Sequence, residues 1–351
     1  MNQRRKLFLI MVAAIIAVIA MVSSCGKSGS KIVFTTGLSN DEVFKIDGSV
    51  CVLPEAMVYL TTVQNQYENT YGVEMWEQDF GGTTLEEYVK ESVISQLAQI
   101  KSMAILAKDR EISLGEEESA LVAESAKEYF ATLDEKEIEY LNVTEEIIAG
   151  MYADYALANK VYTELTKDVD TEVSDDEARI ITVQHILIKN YGTDADGSRT
   201  ELSLDEKQAA KAKAEEVLAR AQAGEAFTML AETYNEDSET EYTFGRGTMS
   251  ETFEAAAFNM EDGELSGIVE TEFGYHILKC IVSYDKEETD KNKLTIAQQR
   301  KTEAFNEIYN FYTAELPSEF NDKLWDGIEF ESGDGIETTE FFDVYNSKFG
   351  A

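Results

Sequence analysis

Residues 180–188 read IITVQHILI and residues 273–282 read FGYHILKCIV, and together they hold the only two histidines of the chain, His185 and His276. The first is a β-branched, apolar run of the length and composition of a buried strand. The segment from Val269 to Val282 contains a strand that would pair with it. Between them the chain alternates signals. A polar loop, 189–203, precedes a helix from about Leu204 to Ala223 that Gly224 closes as a C-terminal cap. A short helix follows from Phe227 to Tyr234, another around Thr252 to Phe258, and then a turn at Glu261-Asp262-Gly263. A histidine on an apolar strand is more often a satisfied core residue than a reactive one. Two histidines that make up the whole supply, both on such strands, make a candidate site.

Upstream the pattern is helical. A strand-like stretch, Val43 to Val52, is broken at Asp47-Gly48. Thr84 with Glu87 forms a capping box, and Leu85, Val89, Val93, Leu97, Ile100 and Ala104 follow on one face. Ser113 with Glu116 predicts a second box opening a helix to about Phe130, and a further helix is expected from about Thr144 to Thr166. Ser174 with Glu177 makes a third box. Downstream of Asp285 the chain is charged and helical, with Leu294, Phe305, Ile308 and Tyr312 on one stripe up to Pro317, then a tail with Trp325 and Phe341-Phe342. This final helix is expected to pack back on the N-terminal helices, because neither stripe can face water. The fold class is therefore α+β. A helical domain, 41–178, is completed by a C-terminal helix and tail, 285–351, and interrupted by a small antiparallel sheet domain with helices around it, 179–284.

The N-terminus carries Arg4, Arg5 and Lys6, an apolar run over 7–22, then Ser23-Ser24-Cys25 and a Gly/Ser/Lys stretch. The run is shorter than the ~20 residues of a spanning helix and has the flanks of a cleaved export signal. This segment resembles a bacterial lipobox, which implies a signal peptide over 1–24, lipidation of Cys25 and a tether over 25–40. Removing 1–24 takes away three basic and no acidic residues, moving the formal charge from −38 to about −41. Such a charge repels nucleic acid and an anionic membrane surface, so the expected membrane link is lipid. Cys51 and Cys280 are far apart and lack the spacing of a redox pair or metal site. Cys280 reads as a small core residue. With two histidines and no cysteine cluster, no metal is expected. Asp194-Ala195-Asp196-Gly197 hints at a calcium loop but lacks the remaining ligands and reads as a turn.

The middle segment contains an ordered series. It runs Gln184-His185-Ile186-Leu187, Gly224-Glu225-Ala226-Phe227, Phe253-Glu254-Ala255-Ala256-Ala257-Phe258, Gly263-Glu264-Leu265-Ser266 and Phe273-Gly274-Tyr275-His276-Ile277-Leu278. This series resembles the parvulin family of peptidyl-prolyl isomerases over roughly 180–284. The resemblance implies prolyl isomerisation without cofactor or metal. It places His185, His276, Thr271 and Asp237 at the catalytic positions, with Asp237 where the family has Cys or Asp. Met249 and Phe253 fall at the apolar positions that seat the proline ring, and Phe244 at a further aromatic position. Ser250, in the same pocket, replaces the usual glutamine. The Gly-Gly-Asp-Leu-Gly stretch that the family usually carries before the methionine is shortened to Tyr242-Thr243-Phe244-Gly245-Arg246-Gly247. The loop 189–203 offers only Lys189 and Arg199 against Asp194, Asp196 and Glu201, which argues against phosphate recognition.

The whole arrangement resembles the PrsA-type foldase lipoproteins and the related SurA chaperones. It implies an extracytoplasmic, lipid-anchored isomerase and chaperone whose partners are unfolded or partly folded exported polypeptides with X-Pro bonds. The apolar stripes also permit a homodimer. Two other classes stay open: a holdase whose parvulin segment is catalytically silent, and a solute-binding lipoprotein, against which the helix-rich flanks argue.

Overall fold

The computed structural model of the chain describes residues 37–76, 78, 82–194, 198–330 and 335–350. The lipobox and Cys25 lie outside the described residues, as do Ala195, Asp196 and Gly197. The described residues form two compact units, one from 37–168 and 303–350, the other from 169–302.

The first unit opens with a hairpin, β1 (Glu42–Ile46) and β2 (Ser49–Val52). Asp47 and Gly48 both take positive φ, 43° and 86°. That is the backbone a two-residue turn needs to match strand twist, and Asp-Gly supplies it cheaply. Helix α1 (Leu53–Tyr71) starts on Pro54, which needs no hydrogen-bond acceptor in a first turn. Helix α2 (Leu85–Asp109) opens on the expected Thr84/Glu87 box, with Glu87 N donating to Thr84 Oγ1 at 3.2 Å and Thr84 N to Glu87 Oε2 at 2.9 Å. Helix α3 (Glu116–Thr132) departs from the Ser113/Glu116 expectation. Its N-cap is Gly115, whose N–H donates to Glu118 Oε2 at 2.6 Å. Only half of a box therefore forms, two residues later, where the acidic side chain of Glu118 reaches back over one turn to the Gly115 N–H. Helices α4 (Glu135–Leu141) and α5 (Glu145–Thr166) complete the bundle, α5 capped by Thr144.

The second unit begins with a one-turn helix, α6 (Asp175–Ala178), capped by Ser174. Then come β3 (Ile181–Lys189), β4 (Tyr191–Thr193), β5 (Arg199–Glu201), α7 (Leu204–Gln222), α8 (Phe227–Tyr234), β6 (Glu241–Phe244), α9 (Glu251–Ala257), β7 (Leu265–Thr271) and β8 (Gly274–Val282). Among the described residues the main sheet is antiparallel with strand order β6-β3-β8-β7. One face packs Ile186, Ile188 and Ile277 against Val217, Phe227 and Leu230 from α7 and α8. The other packs Ile181, Val183, Leu278 and Cys280 with Phe244, Phe253 and Phe258. This two-sided burial explains why β3 reads as a continuous apolar run. The turn from β7 to β8 requires glycine at 274. Its φ is 138°, and a Cβ there would sit 2.2 Å from the Ile188 carbonyl oxygen.

Helix α10 (Lys286–Thr313) follows, then β9 (Ser318–Phe320), α11 (Asp322–Asp326) and α12 (Phe341–Phe349). The expected single stripe on α10 is not continuous: Leu294 is 74% exposed whereas Phe305 is 1% exposed. The division between units falls inside this helix, at 302/303, and before α6, at 168/169, where the sequence suggested 284/285 and 178/179. Polar contacts tie these flanks to the sheet unit. Asn292 Nδ2 donates to Ala178 O at 2.9 Å, Ile180 N to Thr289 Oγ1 at 3.0 Å, and Arg300 pairs with Glu177 at 2.6 Å.

In the first unit, β9 adds to β1 to give the order β2-β1-β9, and the tail closes the core. Phe341, fully buried, stacks on Tyr152 at 4.5 Å and meets Tyr59 and Tyr129 at 5.2 and 5.3 Å. The buried Glu137 accepts the N–H groups of Glu337 and Thr338 at 3.0 and 2.8 Å. Lys101 is held between Glu55 and Asp154, both at 2.7 Å. Cys51 and Cys280 are both free and buried. No helix among the described residues is long and apolar enough to cross a membrane.

Candidate active site

Strand β3 carries His185 and the neighbouring β8 carries His276. Their register sets His185 opposite Leu278 and Leu187 opposite His276. The two imidazoles are therefore diagonal neighbours on one face of the sheet, the face that also holds Phe253. Their ring centroids lie 5.7 Å apart with planes 20° from parallel. Both are buried, 1% and 5% exposed.

The hydrogen bonds around them run in one direction. The Glu239 carbonyl can only accept, so His185 Nε2, 3.0 Å away, carries the hydrogen. A neutral His185 then turns a bare Nδ1 towards His276 Nδ1 across a long contact of 3.5 Å, and His276 must donate. His276 Nε2 is left to accept the Thr271 hydroxyl at 2.8 Å. Thr271 Oγ1 is itself fixed by the N–H of Phe273 at 3.1 Å. The tautomers follow from this order of donors and acceptors. A second proton on His185 would set two N–H groups face to face in a buried place, and one on His276 would take the lone pair that accepts from Thr271. Burial pushes His185 below the ordinary imidazole range, although the Glu239 carbonyl and Asp237 pull the other way. Burial and the neighbouring His185 push His276 down to about 4, with Asp237 again opposing. Both rings are thus neutral at pH 7.

Asp237 stands at the open side of the pair. Its Oδ2 is 3.5 Å from His185 Nε2 and its side chain is 32% exposed. With His185 neutral this is a polar contact and no ion pair. Tyr242 OH donates to the same Oδ2 at 3.0 Å, and Ser238 N donates to Oδ1 at 2.8 Å. The Tyr242 ring lies 4.9 Å from the His185 ring. Burial, then the bond to Asp237, pushes its phenol up to about 12. Phe253 meets His276 and His185 edge-on at 5.3 and 6.1 Å. Phe244 lies one layer deeper, against Phe253 at 5.8 Å and Phe258 at 5.7 Å. Met249 is half-buried beside this aromatic group. Ser250 is the N-cap of α9 and makes no side-chain cap bond.

Three side chains that the sequence reading did not single out hold this arrangement. Tyr242 is the first; it lies opposite Val183, and its place two residues before Phe244 on one strand face was the available signal. Asn235 is the second. Its Oδ1 accepts from Leu187 N at 2.9 Å and Asp237 N at 3.3 Å, and its Nδ2 donates to Glu239 O at 2.7 Å. That pins the loop bearing Asp237 to the centre of β3. The third is Glu254, whose carboxylate gathers the N–H groups of Gly247, Thr248 and Met249 at 3.0, 2.7 and 2.8 Å. Burial would raise its pKa, but those backbone donors outweigh it and hold it below the usual carboxylate range. The shortened stretch before Met249 is thereby given a defined shape.

Residues 163–283 match the family model of the PPIC-type PPIase domain. The foldase protein PrsA of Caldanaerobacter subterraneus is 28% identical over 284 residues, covering 79% of this chain and 82% of the relative. The PrsA of Halalkalibacterium halodurans is 28% identical over 242 residues, covering 65% and 66%. Among solved structures, the peptidylprolyl isomerase PrsA of Bacillus cereus aligns with 18% identity and a TM-score of 0.34, covering 88% of this chain and 99% of its own. Residues 163–283 thus form a PPIC-type peptidyl-prolyl isomerase domain, in a chain that is similar over most of its length to PrsA foldases.

Proposed function

We propose that the isomerase acts outside the cytoplasmic membrane, held there by lipid on Cys25, on unfolded or partly folded exported polypeptides. The observation that carries the chemistry is the one-way hydrogen-bond order from Thr271 through two neutral buried histidines to the Glu239 carbonyl, beside Phe253 and the half-exposed Asp237. An X-Pro bond isomerises over a barrier of ~18–20 kcal/mol, with ground states that differ by only about 0.5–1 kcal/mol. No covalent bond forms or breaks, so the site has only to favour the twisted amide. Met249 and Phe253 seat the prolyl ring, with Phe244 backing Phe253 and Ser250 at the rim. The histidine pair keeps the floor rigid and dry. Asp237, held by Tyr242 and Ser238, faces the carbonyl of the preceding residue. A carboxylate there disfavours the charge-separated resonance form of the amide, in which that oxygen is negative, and so eases rotation.

The export signal, Cys25 and the net charge of −38 support the location and the lipid tether. Polypeptides newly across a membrane expose apolar surface and wait on slow prolyl bonds, which is where a foldase is needed. The test is a protease-coupled isomerisation assay on a short X-Pro peptide. Wild-type turnover should exceed that of His185→Ala/Asp237→Ala by at least about tenfold, a barrier change of roughly 1.4 kcal/mol. Equal rates would leave a holdase. In a bacterial host, Cys25→Ala should move the protein from the membrane fraction to the soluble exported one.

A further inference from the structure

The first unit contains a cavity of about 660 Å³, bordered by α2, β1, β9 and α11. Its walls are apolar: Phe44, Ile94, Ala98, Leu316, Phe320 and Trp325. Its rim is acidic, with Glu87, Glu91, Glu319 and Asp326. The one lysine lining it, Lys90, is turned to the wall, donating to Ile328 O at 2.5 Å with its ammonium 5.8 Å from the Trp325 ring. Among the described residues, the lysines of this unit that form ion pairs are Lys101, Lys160, Lys167 and Lys348, and none of them pairs with Glu91, Glu319 or Asp326.

The strand that lines the groove is also a sheet edge. Asp47 N donates to Pro317 O and Asn321 N to Val43 O, both at 2.9 Å. With Glu319 opposite Lys45, the alternation of an antiparallel ladder turns residues 317, 319 and 321 towards β1. The backbone groups of Ser318 and Phe320 point to the open side. An apolar trough beside an open edge suits a chain added in extended form, with main-chain bonds for affinity and side-chain seats for selectivity. Carboxylates at its rim select the charge of what flanks the apolar part.

We infer that this groove binds extended client segments in which apolar residues are flanked by lysine or arginine. The inference rests on the foldase reading above and adds which segments are taken. It is tested by fluorescence anisotropy with the full chain in mild detergent. The probes are two labelled, proline-free peptides with the same alternating apolar core, one flanked by Lys and one by Glu. Lack of proline keeps the isomerase site out of the measurement. The Lys-flanked peptide should bind about tenfold tighter, and its advantage should shrink several-fold between about 50 and 500 mM salt. Glu91→Lys/Asp326→Lys should reverse the preference, and Ala98→Trp, which fills the trough, should weaken both peptides. Isomerisation of an X-Pro peptide should be unchanged in all of them. Equal affinity of the two peptides for the unmodified chain overturns the inference, whatever the variants do. So does a self-association that Ala98→Trp abolishes without any peptide binding, which would make the groove an interface between copies. Absence of isomerisation in the unmodified chain would count instead against the foldase reading.

Discussion

At the scale of single residues the site is defined by where protons sit. The Glu239 carbonyl sets the tautomer of His185 and through it that of His276, and Thr271 is the donor that completes the order at His276 Nε2. Thr271→Val removes that donor at nearly constant volume. It should lower kcat/KM for an X-Pro peptide by about tenfold or more, roughly 1.4 kcal/mol of transition-state stabilisation, while Thr271→Ser keeps most of the rate. The depressed His276 pKa, about 4, also ties stability to pH. The unfolded chain takes up this proton near pH 6.5 and the folded one near 4, so acidification through that window favours unfolding. The contribution is complete above about pH 6.5 and is lost progressively down to about pH 4. It is on the order of 3 kcal/mol. Urea unfolding at pH 7 and pH 4.5 should show wild type losing about 2 kcal/mol more than His276→Gln over this interval, because carboxylate effects are common to both.

At the scale of elements, two backbone arrangements hold the site open and in register. Glu254 sits at the fourth position of α9 and binds three successive N–H groups before the helix. Glu254→Gln loses the charge that makes these bonds strong. The expected result is a several-fold rise in KM with kcat less affected, since Met249 is released while the histidines are not. Gly274 lets the β7–β8 turn pass close to the Ile188 carbonyl. Gly274→Ala places a methyl against fixed backbone in a left-handed conformation, and thermal unfolding should register a loss of about 2 kcal/mol or more.

At the scale of the molecule, the first unit is built from two separate stretches, 37–168 and 303–350, and the second from one stretch, 169–302. A fragment of residues 169–302 should therefore fold and isomerise X-Pro peptides by itself, whereas 37–168 alone should not give a cooperative transition. Phe341 is the residue where the returning tail counts most, buried among Tyr59, Tyr129 and Tyr152. Phe341→Ala should cost about 3–5 kcal/mol in the first unit and leave peptide isomerisation intact, which separates the stability of one unit from the activity of the other.

What the sequence determined by itself is whatever a few consecutive residues encode. The Thr84 and Ser174 caps, the Asp47-Gly48 turn and the two apolar strands with their histidines are legible, because periodicity and capping are local; Met249, Phe253 and Thr271 stand out only through the family resemblance. The start of α3 lies two residues beyond the Ser113 expectation, because Glu118 rather than Glu116 reaches back to a backbone N–H, that of Gly115. What the tertiary structure alone decided is pairing across long stretches of chain. β9 meets β1 over some 270 residues of separation, Thr338 finds Glu137, and Tyr152 finds Phe341. Such contacts are selected by the burial of whole faces and the satisfaction of stranded polar groups. No window of sequence contains both partners. For the same reason the histidines could be located from sequence, while the order of their protons could be assigned only once Glu239 and Thr271 were seen at their two ends.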